Sequence, residues 1–167
     1  GSIRAGAFAP AFPSRFRMSI EDDVKLLASV PTLKLLGIEV LRVLAIGSET
    51  RRVRRDEALF HAGDTADAGF VVQSGSIRVS SEDAGGYRDV VGGPGTLIGE
   101  LALLVEMQRP STAIALSESS VLRISRSMFQ RVLEGHPDAA RRLRDDLAGR
   151  TSQAASEMMI ASGKLAP

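Results

Sequence analysis

The sequence contains no cysteine among its 167 residues. A disulfide framework, a thiolate metal site and a cysteine nucleophile are therefore excluded, and the absence agrees with a reducing compartment such as the cytoplasm. The two histidines, His61 and His136, lie far apart in the chain. They cannot form the clustered imidazole site of a metal-dependent barrel enzyme, and no serine or threonine has a nearby base. We therefore expect neither a metal site nor an enzyme.

Long apolar runs and a surface for stacking nucleobases are missing as well. No apolar run approaches the ~20 residues that cross a bilayer, so we expect no membrane segment in this chain. Beyond the first 17 residues the aromatic side chains are few and scattered, namely Phe60, Phe70, Tyr87 and Phe129. Four such residues do not make a platform for single-stranded nucleic acid.

The first 17 residues differ in composition from the rest. They begin with Gly-Ser, contain no acidic residue and precede Met18. We interpret residues 1–17 as an expression leader, and an Arg-rich, acid-poor transit segment is the alternative. The leader holds three of the 21 basic residues (Arg4, Arg15 and Arg17), which leaves 18 against 20 acidic ones. The net charge therefore gives no support to a direct nucleic-acid partner.

Helical patterns flank a central region whose sequence pattern is typical of β-structure. Residues 18–47 predict N-terminal helices: Ser19 and the acids after it suit a helix start, and the apolar spacing continues to Gly47. Residues 48–124 are short apolar segments with Gly, Asp and Ser turns about every dozen residues, which is typical of a sandwich or barrel. The stretches "GFVVQSGSIRVSS" and "STAIALSESSVLRISR" each predict a pair of strands.

Residues 125–163 predict C-terminal helices, followed by a tail at 164–167. The first helix would begin at Ser125 and end at Gly135, and a second would begin at Pro137. One apolar stripe on the second helix comprises Ala140, Leu143, Leu147, Thr151, Ala154 and Met158. A stripe of this length packs either on its own barrel or on the same helix of a second copy, and we favour a homodimer.

The stretch "IGELALL" predicts one short helix among strands. Gly99 allows close backbone approach, and the first N–H groups of a helix starting at Glu100 have no partner in a preceding turn. Such a terminus suits an anion, and the guanidinium of Arg109 suits bidentate contact with a phosphate. The Glu100 carboxylate accepts hydrogen bonds only, so it would seek a hydroxyl such as a ribose 2′-OH. The segment therefore fits a nucleotide with a single phosphate charge.

The stretch "GELALLVEMQRPST" resembles the phosphate-binding cassette of cyclic-nucleotide-binding domains, and "GDTADAGFVVQSGSIRV" is similar to a second stretch of that family. The resemblance covers about residues 22–160. It implies an α+β, mainly β fold, in which a jelly-roll-like eight-stranded barrel is flanked by N-terminal helices and by C-terminal hinge and lid helices. Residues 18–163 would form a single domain, with the cassette at 98–113.

The resemblance also implies roles for individual residues. Arg109 would pair with the cyclic phosphate, Glu100 would accept from the ribose 2′-OH, and Gly99 and Ala102 would offer backbone N–H groups. The candidate ligand-binding residues are Gly99, Glu100, Leu101, Ala102, Arg109, Pro110, Ser111 and Thr112. The candidates for a lid over the base are Thr151, Ser152 and Met158.

Pro110 departs from the pattern, which has Ala, Ser or Thr after the arginine. Proline lacks the N–H that reaches the phosphate, and one missing hydrogen bond to a charged group is worth roughly 1.5–3 kcal/mol, or about tenfold to a hundredfold in affinity. Ser111 would compensate from the next position. Two hypotheses therefore stay open: a module that binds the nucleotide, and a degenerate member that serves for dimerisation or docking.

We expect a bacterial regulatory module that binds a cyclic mononucleotide, cAMP in preference to cGMP, and that signals by movement of its C-terminal helices. It would need no cofactor. Relatives couple such a module to a helix-turn-helix, a channel or a kinase. The effector of this chain stays open, as does the choice between a stand-alone domain and a part of a longer protein.

Overall fold

Three helices precede the barrel in the computed structural model, which describes residues 19–83 and 85–150. Helix α1 (Ile20–Ala28) is followed by α2 (Pro31–Lys34) and α3 (Ile38–Gly47). Ser19 begins α1 with a capping box: its Oγ accepts from the N–H of Asp22 at 3.1 Å, and the Asp22 carboxylate accepts from the N–H of Ser19 at 3.2 Å.

The helical pattern that the sequence predicts through residue 47 is interrupted at Gly37. This residue has φ 87°, in the left-handed region, which a right-handed helix cannot include. The interruption lets α3 fold back on α1, and an ion pair between Arg42 and Glu21, at 3.0 Å, joins the two helices at their surface.

Among the described residues ten short strands form the barrel, and every pair of them is antiparallel. In chain order they are β1 (Glu49–Val53), β2 (Ala58–Phe60), β3 (Thr65–Ala66), β4 (Ala68–Ser74), β5 (Ile77–Asp83), β6 (Gly86–Gly92), β7 (Leu97–Ile98), β8 (Met107–Gln108), β9 (Thr112–Ala115) and β10 (Ser119–Ser125). They make two four-stranded sheets, β1-β10-β4-β7 and β2-β9-β5-β6, and a small β3-β8 ladder.

This arrangement confirms the predicted α+β, mainly β class with a jelly-roll-like barrel between helices. The described residues have ten strand segments instead of the expected eight, and the additional ones are two-residue strands such as β3 and β8. The two strand pairs that the sequence predicts exist, but neither is a hairpin. Strand β5 follows β4, and β10 follows β9, yet each chain segment crosses from one sheet to the other.

Within the part of the chain that the structure describes, two helices follow the barrel. Helix α4 (Arg126–Glu134) begins at Ser125, whose Oγ accepts from the N–H of Met128 at 3.1 Å, and it ends at Gly135. Helix α5 begins at Pro137, as the sequence predicts, and is described for residues 137–150. The later members of its predicted stripe lie outside the described residues. No helix within the described residues is both long and apolar enough to cross a membrane.

Two hydrophobic clusters form the core. The helical core lies between the helices and one sheet and consists of Val24, Leu27, Val30, Leu33, Leu36, Val40, Leu41, Leu44, Ala45, Val71, Leu103, Leu122, Ile124, Phe129, Ala139 and Leu143. The barrel core consists of Val53, Leu59, Phe60, Ala68, Phe70, Val72, Ile77, Ile98, Ala113, Ala115 and Val121. Leu103, from the short helix predicted by "IGELALL", packs into the helical core and so ties that helix to it.

A buried polar chain also ties α1 to the barrel. The Gln73 amide donates to the carboxylate of Asp23 at 2.8 Å, and the hydroxyl of Ser120 donates to the Gln73 carbonyl at 2.6 Å. Burial raises the pKa of Asp23, with the hydrogen bond from Gln73 opposing this effect and the charge of Asp22 adding to it.

Candidate functional site

A cavity of about 200 Å³ opens between the short helix and the inner face of the barrel. Its walls are mostly apolar, and the arginine predicted from the sequence lies among them. The lining residues are Phe60, Val79, Ile98, Gly99, Glu100, Leu101, Ala102, Met107, Arg109, Pro110 and Ser111. The structure therefore brings together seven of the eight predicted ligand-binding residues.

Arg109 is the buried cation of this cavity, with only 5% of its surface exposed. Its Nη2 donates to the carbonyl oxygen of Ala68 at 2.8 Å. The guanidinium lies over the ring of Phe60, 4.2 Å from the centroid, and 5.4 Å from the centroid of Phe70. The two rings stack on one another at 6.0 Å, so they form a fixed aromatic floor beneath the charge.

The main chain of Arg109 is anchored as firmly as its side chain. The N–H of Arg109 donates to the carbonyl of Asp64 at 2.7 Å, and its carbonyl accepts from the N–H of Gly63 at 2.8 Å. The β3-β8 ladder begins next to this pair, with Thr65 opposite Gln108. The direction in which the side chain enters the barrel is therefore set by the backbone before any ligand binds.

The charge of Arg109 is poorly compensated. Burial lowers the pKa of the guanidinium, and the nearby charge of Asp67 opposes this effect only in part. The described residues place no carboxylate oxygen within 4.0 Å of it. Arginine stays protonated under physiological conditions, and a buried charge without a counter-ion is costly. The site therefore attracts an anion.

Gly99 is required at the edge of the cavity for two reasons. Its φ of 80° and ψ of 38° lie in the left-handed region, and an added Cβ would lie 2.6 Å from Nη1 of Arg109. The short 3₁₀ helix Glu100–Leu103 follows directly. Within it the N–H of Ala102 donates to the carbonyl of Gly99 at 3.1 Å. The family resemblance implied that this N–H would contact the ligand, but it is already used inside the short helix. The N–H groups of Glu100 and Leu101 stand at the helix start.

Glu100 lines the cavity but already has protein partners. The hydroxyl of Thr32, in α2, donates to its Oε2 at 2.5 Å. Its Oε1 is 3.6 Å from Nη1 of Arg150, in α5. The carboxylate predicted to accept from a ribose hydroxyl therefore joins both helical ends of the chain to the short helix.

The remaining predicted residues divide between the two faces of the barrel. Leu101 is 59% exposed at the rim of the cavity, and Ser111 is buried in its wall. Thr112 does not reach the cavity: its Oγ1 accepts from the N–H of Ala62 at 2.9 Å, and it lines a groove on the outer face. The cause is the alternation of side chains along β9, which turns Ala113 inward and Thr112 outward. The lid candidates Thr151, Ser152 and Met158 lie outside the described residues.

Sequence reasoning missed the residues that hold the predicted ones in place. Phe60 and Phe70 under Arg109, and Thr32 and Arg150 around Glu100, come from distant parts of the chain. The one signal available in the sequence was that Phe60 and Phe70, two of its few aromatic residues, both fall in the predicted β region. Across residues 19–83 and 85–150, no three His, Asp or Glu side chains are arranged to hold a metal ion.

A barrel of this kind, with an arginine buried behind a short helix, is suited to a small anionic ligand. The family profile of the cyclic nucleotide-binding domain matches residues 50–136, just over half of the chain. The chain belongs to this family.

Individual relatives agree with the assignment. A solved cyclic nucleotide-binding-like protein from Brucella abortus is 37% identical, with a TM-score of 0.60 over 68% of this chain and 98% of that one. The N-terminal domain of a transcriptional regulator from Streptomyces coelicolor is 29% identical, with a TM-score of 0.73 over 80% of this chain and 94% of that one. Lysophospholipase nte1 from Aspergillus terreus is 29% identical over 72% of this chain, which spans only 8% of that enzyme's length.

Proposed function

We propose that this protein is a regulatory module that binds a cyclic mononucleotide in the Arg109 cavity, with cAMP preferred over cGMP, and that signals through its C-terminal helices. The observation that carries the proposal is the buried guanidinium of Arg109, which has no carboxylate partner among the described residues. A sensor that binds and releases its ligand needs such a prepared site, because little reorganisation is then required on binding.

The charge and the donors of Arg109 suit a cyclic phosphate. A cyclic phosphodiester carries one negative charge, which matches one buried cation. A guanidinium has five N–H donors, of which one is used by the carbonyl of Ala68. Because Gly99 lies next to the guanidinium without a side chain, a phosphate bound at Arg109 would also lie near the start of the short helix.

The apolar walls support the preference for cAMP. The base would lie against Val79, Leu101 and Met107, none of which donates or accepts a strong hydrogen bond. Guanine carries a carbonyl and an amino group that need partners, and an unpaired polar group in apolar surroundings is unfavourable. Adenine has fewer such groups, so the same walls penalise it less.

The relatives support a sensing role over a catalytic one. The Streptomyces coelicolor relative is a domain of a transcriptional regulator. The match to the Aspergillus terreus lysophospholipase is confined to a small part of that enzyme, so it gives no reason to assign lipase activity to this chain. The output would pass through α5, because Arg150 of this helix contacts Glu100 at the cavity. Dimerisation through the same helix, and closure by Thr151, Ser152 or Met158, stay predictions.

Pro110 supports the second candidate function, a docking module that does not bind nucleotide. It lines the cavity and has no N–H to donate to a phosphate. If Ser111 does not replace this donor, the affinity for a cyclic nucleotide becomes too low for sensing. The barrel then serves as a scaffold for its helices.

Calorimetric titration with cAMP and with cGMP separates the two candidates. We expect micromolar binding of cAMP, weaker binding of cGMP, and at least a hundredfold loss in Arg109→Ala, because a buried bidentate contact is removed. Arg54→Ala, which removes an exposed arginine from the turn after β1, is the matched control and should bind normally. If neither nucleotide gives a heat of binding, the sensing function is rejected and the docking module is favoured.

A further inference from the structure

We propose that Thr32 is a positioning residue for the sugar of the ligand: its hydroxyl holds the Glu100 carboxylate in place, so that Glu100 accepts from a ribose 2′-hydroxyl without first having to be ordered. The inference rests on the proposed function and deepens it. It assigns selectivity for ribose over deoxyribose to a residue that lies 68 positions before Glu100, far outside the cassette.

The carboxylate of Glu100 has acceptor positions to spare. The hydroxyl of Thr32 donates to its Oε2 at 2.5 Å, and this is the one hydrogen bond that the carboxylate accepts among residues 19–83 and 85–150. An ionised carboxylate offers about four acceptor positions on its two oxygens. Because Glu100 also lines the cavity, a ligand hydroxyl can donate to it while Thr32 keeps its own bond.

The direction of the bond from Thr32 is set by its other neighbour. Nη2 of Arg150 lies 3.5 Å from the hydroxyl oxygen of Thr32. A guanidinium only donates, so at this contact the oxygen of Thr32 is the acceptor and the hydroxyl proton is left for Glu100. The contact is long and therefore weak, but it acts in the same sense as the bond to Glu100.

Both ends of the bond between Thr32 and Glu100 are anchored in the helical core. Leu33 follows Thr32 in α2 and is fully buried, and Leu103, in the same short helix as Glu100, is only 1% exposed. Both leucines belong to the helical core. A close-packed core permits little displacement of the segments that it holds. The hydroxyl and the carboxylate are therefore kept within hydrogen-bond distance before a ligand arrives.

A carboxylate held in this way strengthens the binding of a ribose and not of a deoxyribose. The side chain of Glu100 is 33% exposed, and without a partner it would lose its rotamer freedom only when the ligand fixes it. Ordering one such side chain on binding weakens affinity about threefold to tenfold. Thr32 removes this cost in advance. A nucleotide without the 2′-hydroxyl has no donor for Glu100 and gains nothing from the arrangement.

The test compares cAMP with 2′-deoxy-cAMP by calorimetric titration of the full chain. Thr32→Val keeps the shape of the side chain and removes the hydroxyl, so we expect about threefold to tenfold weaker binding of cAMP and unchanged affinity for 2′-deoxy-cAMP. Thr32→Ser keeps the hydroxyl and should restore the affinity for cAMP. Thr50→Val, which removes an exposed hydroxyl from β1, is the matched control and should bind both nucleotides normally.

Scalar couplings measured by NMR provide a second readout that needs no ligand. The Glu100 side chain should occupy one dominant rotamer in the unmodified chain and in Thr32→Ser, and several in Thr32→Val. Unchanged cAMP affinity in Thr32→Val, an equal loss for both nucleotides, or rotamer averaging in the unmodified chain would overturn the inference, while cAMP binding that depends on Arg109 upholds the proposed function. Absence of binding by the unmodified chain would overturn both.

Discussion

The helical core and the barrel core of this protein are built from side chains of different size. The helical core is dominated by leucine, with Leu27, Leu41 and Leu44 almost fully buried. The barrel core has a single leucine and includes three alanines, Ala68, Ala113 and Ala115. The cavity of about 200 Å³ opens beside the barrel core, where Phe60 and Ile98 form part of its wall.

The difference separates two tasks that a compact core usually combines. Leucine-rich packing removes much apolar surface from water and supplies stability. The barrel core, with its alanines, buries smaller side chains and gains less of this stabilisation. It contains instead the charged side chain of Arg109, which lies over the rings of Phe60 and Phe70. Changes in the helical core should therefore act on stability, and changes at the barrel cavity should act mainly on binding.

The largest effect is expected from truncation in the helical core. Leu44→Ala removes a fully buried side chain and leaves a cavity, which should lower the free energy of unfolding by about 2–5 kcal/mol. Ile46→Ala on the same helix, where the side chain is 65% exposed, is the control and should change it little. Urea unfolding measures both. Equal destabilisation by the two variants would contradict the role given to the helical core.

A substitution at Gly99 should break the cavity rather than the core. In Gly99→Ala the added Cβ meets the Arg109 guanidinium and the backbone is strained, so we expect nucleotide affinity to fall at least tenfold. Gly86→Ala is matched, because Gly86 also has a positive φ but its Cβ would meet nothing within 4 Å. Normal affinity in Gly99→Ala would show that the position of Arg109 tolerates displacement.

A larger side chain in the cavity wall should affect binding more than stability. Val79→Phe adds bulk to the cavity wall, and we expect about tenfold weaker binding with a loss of stability smaller than the roughly 1–3 kcal/mol that overpacking of a filled core costs. Val90→Phe, at the position paired with Val79 but 59% exposed, should alter neither quantity. The readouts are titration and thermal unfolding. Strong destabilisation by Val79→Phe would mean that the barrel has no spare volume.

The smallest effect concerns Asp23, which joins the two regions. Its folded pKa lies above the ordinary value of 3.8, so the unfolded chain loses its proton first and stability falls as the pH rises between the two values. Asp23→Asn keeps the acceptor for Gln73 and removes the buried charge. It should gain on the order of 1 kcal/mol at pH 7 and lose this pH dependence. Unfolding from pH 3 to 7 tests it, with exposed Asp89→Asn as control.

Local signals in the sequence predicted a large part of the fold. Ser19 and Ser125 begin helices because each side chain caps the turn that follows it, and Gly99 permits the left-handed residue before the short helix. The break at Gly37 was not predicted, because the apolar spacing continues across it and only the packing of α3 on α1 reveals it. The sheet assignment of β5 and β10 was equally hidden, since strand patterns do not specify which strand lies alongside.

The candidate site also contains residues that the sequence predicts and residues that only the structure reveals. Gly99, Glu100 and Arg109 follow from a contiguous motif whose chemistry is visible in the residue types. The partners of Glu100 come from α2 and α5, and nothing in the spacing of Thr32 or Arg150 indicates that they meet. Such contacts depend on how the helices dock on the barrel, which is a tertiary property that no short window contains.

The anchoring of Arg109 also has a consequence for folding. Its backbone bonds to Gly63 and Asp64, and its guanidinium contacts Phe60 and Ala68, all of which lie far back in the chain. Contacts between distant segments form slowly, because a long loop must close before any of them is gained. A nascent or partly refolded chain can therefore contain the helical pieces and still lack the site. Competence to bind an anion would therefore appear only after these distant segments of the barrel have met.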